Sequence, residues 1–519
     1  MSEQSEYPGT TLLQAVRIVA VGGIPAPAGV VDVRLGGGRV LEVAPQLTPS
    51  RGEPVHAYEG RWLIPGLWDQ HVHFGQWADT RGRIDLSGTT WPQEVLDRVR
   101  AHLAQVAPAV DDLVVGFGYR SSGWSRPGSV AELDAAAGGR AVVLISGDAH
   151  NGWLSSAALR VLEVPPTDGM LSENDWFPVF ARLRERPVAP GAVDAAYLAA
   201  QRDAAAAGVV GVVDLEWEPG FREWPARVER GLDLLRVRTG VYAADLDEAI
   251  AAGVRSGMPL HPSGLVTMGP LKVISDGSLN TRTAWTTSPY AGAHPTCGAA
   301  NLSLAELSSL IARGRMAGLS AAVHAIGDAA LEQALDAFAA AGGASRPADP
   351  RTKDTLEHVQ LGAPGLFERM AEFNLAASVQ PAHLLDDRDV MDRSWPGQLP
   401  WAFALSSMLA AGVEVRLGSD APVSPLDPWL AMAAAVHRSA DERPAWQPQE
   451  ALTPAQALAA STDGAGTIRP GSLADLAVLE NNPLAPAGDP AAAGARLRAM
   501  TVAATYVSGR GTHGATAAD

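Results

Sequence analysis

Leu63-Ile64-Pro65-Gly66-Leu67-Trp68-Asp69-Gln70-His71-Val72-His73-Phe74 is an apolar run interrupted by a Pro-Gly pair and closed by two histidines with one valine between them. Side chains alternate faces along an extended strand, so His71 and His73 project to the same side, one pleat apart. Two imidazoles placed this way can close on a single metal ion. A lone His-x-His arises often by chance, so the remaining donors have to come from elsewhere in the chain.

The same strand texture recurs at 209–215, 235–242, 271–276, 321–324, 355–359, 375–380 and 413–420, with Ala- and Leu-rich helical stretches between. Near-continuous apolar strands separated by helices indicate parallel βα units. Together with the His71 strand there are eight, which predicts an α/β chain built on a (β/α)8 TIM barrel over residues 62–464. Short β-rich pieces precede it at 15–21, 30–35 and 39–43, the last two joined at Gly36-Gly37-Gly38, and the texture returns at 474–479 and 500–507. A small β-sandwich domain assembled from both chain ends, residues 1–61 and 465–519, is the simplest arrangement. Between barrel strands one and two, residues 75–201 are too many for a loop and include strand-like runs at 113–119 and 141–146. They predict an inserted α/β subdomain over the barrel mouth. The Gly- and Pro-rich stretch 339–353 reads as a surface connection.

Composition narrows the chemistry. Of 519 residues, 47% are hydrophobic and 19% charged, which describes a globular chain. A net charge of -17 argues against nucleic acid or an anionic membrane surface as partner. No run reaches the roughly 18 apolar residues of a membrane span, and the acidic N-terminus does not resemble a signal peptide. The one cysteine, Cys297, rules out an intrachain disulfide, fits a cytoplasmic setting, and leaves nitrogen and oxygen donors for any metal.

TIM barrels carry their chemistry at the C-terminal ends of the strands. Strand one ends in His71 and His73, strand four carries Lys272, strands five and six end at His324 and His358, and strand eight ends at Asp420. Each has an ordinary alternative: a strand-end histidine that is merely hydrogen-bonded, a lysine that snorkels or pairs, an aspartate that forms a turn or caps a helix. Six such accidents at one barrel mouth are improbable, and the joint pattern points to a metal centre.

Pro65-Gly66-Leu67-Trp68-Asp69-Gln70-His71-Val72-His73 resembles the opening motif of the amidohydrolase superfamily. Leu271 to Ser278, Arg282-Thr283-Ala284, Val323 to Asp328, Glu357-His358, Gln380-Pro381-Ala382-His383, Gly418 to Pro422 and, in the insert, His150 to Leu159 narrow the resemblance to its amidohydrolase 3, or YtcJ-like, branch. The resemblance covers nearly the whole chain. It implies a divalent metal site of one or two ions, most often zinc. His71 and His73 would hold one ion and His324 and His358 the other, with Lys272 as a bridging carbamate (N6-carboxylysine). It further implies hydrolysis of a C-N bond in an amide, N-substituted formamide or cyclic amide, with deformylases of N-substituted formamides among the studied relatives. Ester or carbamate hydrolysis, isomerisation on the same scaffold, or a non-catalytic ligand-binding role are the alternatives.

In this reading Asp420 is the general base that orients the attacking water, takes its proton and delivers it to the leaving nitrogen. His150 and His383 contact the oxyanion or substrate, or are structural. Asp276 and Arg282 bind substrate or shape their loop. Trp77, Trp91, Trp124, Trp153 and Trp176 are expected mostly to pack, with Trp153 as a candidate wall of an apolar substrate pocket. The substrate is a small molecule, and a homodimer is the assembly common among such enzymes.

Overall fold

In the computed structural model the histidine stretch forms two strands. Trp62–Pro65 ends at the proline, and β1 (Leu67–Val72) begins just beyond Gly66. The glycine is needed for space: a Cβ here would lie 2.2 Å from Val210. Residues 9–515 are described, apart from 81–82, 107–112, 120, 122–123, 148–150, 173–174, 186–190, 293–294, 345–346, 348 and 397–400. The chain divides into two compact units, Met1–Phe74 with Gln201–Asp519, and Gly75–Ala200.

The first unit contains the barrel. Strand β1 is followed by β2 (Val209–Asp214), β3 (Arg236–Tyr242), β4 (Val266–Ile274), β5 (Ala321–Ala325), β6 (Thr355–His358), β7 (Ala376–Val379) and β8 (Glu414–Leu417). They form one eight-stranded sheet in that order, every recorded pair parallel. Strands β1 and β2 are buried along their whole length, as expected where helices cover the outside and side chains fill the inside. Closure between β8 and β1 is made past the end of β8. The Asp420 N–H donates to the His71 carbonyl at 2.7 Å, and the His73 N–H donates to the Ala421 carbonyl at 2.9 Å. Strand eight was expected to run to Asp420; it stops at Leu417 because Gly418 to Asp420 turn inward to make this seam. A Cβ on Gly418 would sit 2.8 Å from the His71 nitrogen, so no larger residue fits.

Strands from both chain ends form a second sheet in the same unit, with Trp62–Pro65 central. Its order is Arg510–His513, Val502–Val507, Leu476–Leu479, Trp62–Pro65, Thr11–Ile18, Val31–Gly36, Arg39–Ala44, and Val55–Ala57 pairs with Thr11–Ile18. The Gly37-Gly38 turn has φ of 56° and 73°, the two left-handed residues that a tight hairpin between right-twisted strands requires. Apolar residues of both ends, among them Leu13, Val33, Leu476 and Tyr506, pack into a single core.

The second unit has a five-stranded sheet in the order Leu171–Ser172, Asn151–Leu154, Ala141–Ser146, Leu113–Tyr119, Ile84–Asp85. Helices Pro92–Val106 and Val130–Ala137 supply apolar side chains to one of its cores. Trp153 is fully buried in that core and donates its indole N–H to the Ser129 carbonyl at 2.9 Å. This is a packing role, and it replaces the pocket wall expected from sequence. Among the described residues, no helix is long and apolar enough to cross a membrane.

Candidate metal centre

The closing turn after β8 brings Asp420 to the histidines of β1. Its Oδ1 lies 3.3 Å from His73 Nε2 and 3.5 Å from His71 Nε2, and its Oδ2 lies 3.9 Å from His383 Nε2. The His71 and His358 rings are 4.8 Å apart, and those of His358 and His324 are 4.4 Å apart. One carboxylate therefore stands among histidines from three different segments, those of His71 with His73, of His358 and of His383. Two sets of donor atoms each converge within 4.8 Å: His71, His73 and Asp420, and His358, His383 and Asp420.

These donors suit a divalent cation. Asp420 Oδ1 and His383 Nε2 are buried without a hydrogen-bond partner, a condition that is costly unless something else satisfies them. The nitrogen and oxygen set fits zinc and its first-row neighbours. Burial takes the His71 imidazole down to about 4, with the Lys272 charge acting in the same direction against Asp420 and Glu357. Burial and the neighbouring imidazoles hold His358 well below its usual value. Both rings are thus neutral at neutral pH, the form that binds metal. Burial opposes ionisation of Asp420, but His71, His73 and His358 hold its carboxyl well below the usual range. His73 moves the other way: burial lowers it, and the carboxylate of Asp420 beside its Nε2 raises it further.

Other groups orient the ring nitrogens. Glu357 Oε2 lies 2.7 Å from His71 Nδ1, and Gln380 Oε1 lies 2.8 Å from His358 Nδ1, which leaves both Nε2 atoms available to the centre. Burial works against the Glu357 charge, yet His71, Lys272 and Thr355 bring its carboxyl down to about 2. His383 Nδ1 lies 3.1 Å from Gln360 Nε2, which also donates to Asp387 at 2.9 Å. Lys272 is buried within β4, with Nζ 3.4 Å from His71 Nε2. Burial pushes its pKa down, against the pull of Glu357 and Asp420.

Backbone strain collects here as well. His358, Val359 and Asp420 have φ of 73°, 42° and 59°, left-handed conformations that cost roughly 1–3 kcal/mol each in non-glycine residues. Neighbouring bonds enforce them, including Val359 N–H to the Ala325 carbonyl at 3.1 Å.

The remaining expected residues fall as follows. His324 is close to His358, but its Nε2 turns to the Gly277 carbonyl at 3.2 Å and Asp276 Oδ1 at 3.3 Å. The place beside His358 and Asp420 is taken by His383. Asp276 is fully buried and accepts the N–H groups of Trp285, Ile326 and Gly327, so it shapes its loop and has no face left for substrate. Arg282 is exposed on the same loop, with φ of 56°. His150 lies outside the described residues. Glu357, Gln380 and Gln360 were given no role from sequence, although the first two flank motif histidines. Trp217, whose ring lies 6.5 Å from that of His73, was also missed.

The amidohydrolase family model matches residues 58–513. The chain is 27% identical to the putative amidohydrolase YtcJ of Bacillus subtilis (strain 168) over 488 residues, covering 87% of this chain and 89% of that protein. It is 26% identical to the N-substituted formamide deformylase of Arthrobacter pascens over 540 residues, covering 92% and 94%. An uncharacterized metal-dependent hydrolase from Pyrococcus horikoshii OT3 shares the fold, with a TM-score of 0.71 at 22% identity over 92% of this chain and 99% of the other.

Proposed function

Because this chain belongs to the amidohydrolase family, we propose that it hydrolyses a C-N bond of an amide, N-substituted formamide or cyclic amide. The observation that carries this reading is the position of Asp420, an ionised and buried carboxylate within 4 Å of three histidine Nε2 atoms. His71, His73 and Asp420 would hold one divalent cation, and His358 with His383 or His324 a second. Zinc is the expected metal. When bound, such a cation lowers the pKa of water from about 15.7 to about 7 and so supplies hydroxide at neutral pH.

The chain's own groups do the rest. Asp420 accepts the proton of the attacking water as its oxygen bonds to the carbonyl carbon. The same carboxyl then returns that proton to the nitrogen as the C-N bond breaks, giving a carboxylic acid (formic acid from a formamide) and an amine. His383 Nε2, buried and without a hydrogen-bond partner, is placed to donate to the carbonyl oxygen if His324 completes the second site. Lys272 is the bridging candidate. Its lowered pKa favours the free amine, whose nitrogen could bond to the carbon of carbon dioxide and release one N–H proton to solvent, giving an anionic carbamate. Support from relatives is the deformylase of Arthrobacter pascens, whose name states a C-N substrate.

The test is a panel of amides, formamides, esters and carbamates scored for amine or alcohol release, with metal content measured in parallel. Asp420→Asn is expected to keep at least one equivalent of metal and to lose two or more orders of magnitude in kcat. Full activity in that variant removes Asp420 from the proton transfer. Release of alcohol without amine points instead to an esterase.

A further inference from the structure

Trp217 is left unexplained by the reaction. It lies on the loop after β2, at the C-terminal end of the barrel, and is 56% exposed. A single exposed aromatic side chain is ordinary. This one is held in place. The Glu216 N–H donates to Asp214 Oδ1 at 3.2 Å, and the Trp217 N–H donates to Glu216 Oε1 at 3.0 Å. Its indole stacks on Tyr242 with centroids 4.2 Å apart and planes 20° apart. Tyr242 is buried and fixed by its hydroxyl, which donates to the Leu215 carbonyl at 2.7 Å. The same indole lies 14° from parallel with the ring of His73, centroid to centroid 6.5 Å. A rigid, solvent-facing π surface thus stands one ring away from a candidate metal ligand.

We propose that Trp217 determines substrate specificity by stacking with a flat, uncharged aromatic substituent of the scissile amide; this rests on the hydrolase reading above. The support beneath the indole is another ring, and aromatic rings continue offset stacks favourably, by roughly 0.5–1.5 kcal/mol per pair beyond area burial. Because Tyr242 and the loop hydrogen bonds already hold the indole, little ordering entropy is lost when a third ring arrives. A puckered saturated ring of equal carbon count buries similar apolar area without the stacking.

The test compares N-phenylformamide with N-cyclohexylformamide, and with the protonated N-(piperidin-4-yl)formamide as a cationic control, because an indole face also attracts cations. Binding is measured by calorimetry in the Asp420→Asn background, where turnover does not interfere. The phenyl compound is expected to bind about 2- to 10-fold more tightly than the cyclohexyl compound. Trp217→Ala should erase that ratio, and Trp217→Phe should retain most of it, with unchanged thermal midpoints. Equal binding of the two rings, a ratio that survives Trp217→Ala, tightest binding by the piperidinium compound, or no binding of any of the three overturns the proposal. Amine release by the wild-type enzyme is scored separately. Release without ring preference leaves the hydrolase standing and removes Trp217 from specificity; ring preference without release does the reverse.

Discussion

The Asp69 carboxylate accepts the backbone N–H of Ser419 at 3.0 Å, across the seam where the last barrel strand meets the first. The same oxygen accepts the His71 N–H, also at 3.0 Å. One side chain thus ties the segment carrying His71 to the turn carrying Asp420, the two halves of the candidate metal centre.

Asp69→Ala should therefore strip two backbone N–H groups of their partner in a buried seam, at about 1–3 kcal/mol each. The expected loss is roughly 2–5 kcal/mol in urea unfolding, accompanied by weaker metal retention. Asp69→Asn keeps an acceptor oxygen and should fall in between. An alanine variant as stable as the wild type would show that the seam does not depend on this carboxylate.

Glu357 acts at the opposite face of His71. Removing its charge should lower metal affinity by about 10- to 100-fold, the usual cost of losing a carboxylate behind a metal-binding histidine. Competition with a coloured chelator reads this directly for Glu357→Gln and Glu357→Ala, with alanine the weaker binder. Unchanged affinity in both would mean that His71 is oriented by the barrel alone.

Asp214 provides a pH signature from the strand beside β1, opposite Val72. It accepts the Trp224 indole N–H at 2.6 Å and the Phe74 N–H at 3.1 Å, yet burial dominates and lifts its carboxyl to about 6. The folded state therefore holds the proton more tightly than the unfolded one. That contribution is fully present below the ordinary carboxyl pKa of about 4 and is lost as pH rises through 6. The wild-type minus Asp214→Asn difference in unfolding free energy should decline across pH 4–6 by on the order of 2 kcal/mol. A flat difference would contradict the raised pKa.

The barrel was legible because its strands are buried on both faces, so apolar runs such as Val209–Asp214 mark them without ambiguity. The His71 and His73 pair was legible from strand alternation. Glu357 was hidden by the same rule: as the neighbour of His358 it should point to the opposite face. The left-handed φ of His358 breaks the alternation, and both residues reach His71 or its ring neighbours. Sequence left Asp276 between a substrate contact and a loop clamp, because the three N–H groups it accepts come from residues 9 to 51 positions away. Trp217 gave no periodic signal, since a loop aromatic has none. Trp153 was a pocket-wall candidate only as one of several aromatic side chains in the insert, and nothing in the sequence separates an indole that packs in a core from one that lines a pocket.

The sheet shared by the chain ends also has a consequence for synthesis. Pro65 pairs with Leu476, and Trp62 with Leu479. A ribosome adding roughly 5–20 residues per second leaves the Trp62–Pro65 edge without that partner for on the order of 20–80 s. Throughout that interval a buried strand leading straight into β1 is an open template for another chain. The nascent protein should accordingly depend on chaperone cover late in translation, and stalling before residue 476 should leave it prone to aggregate even though every barrel strand has been made.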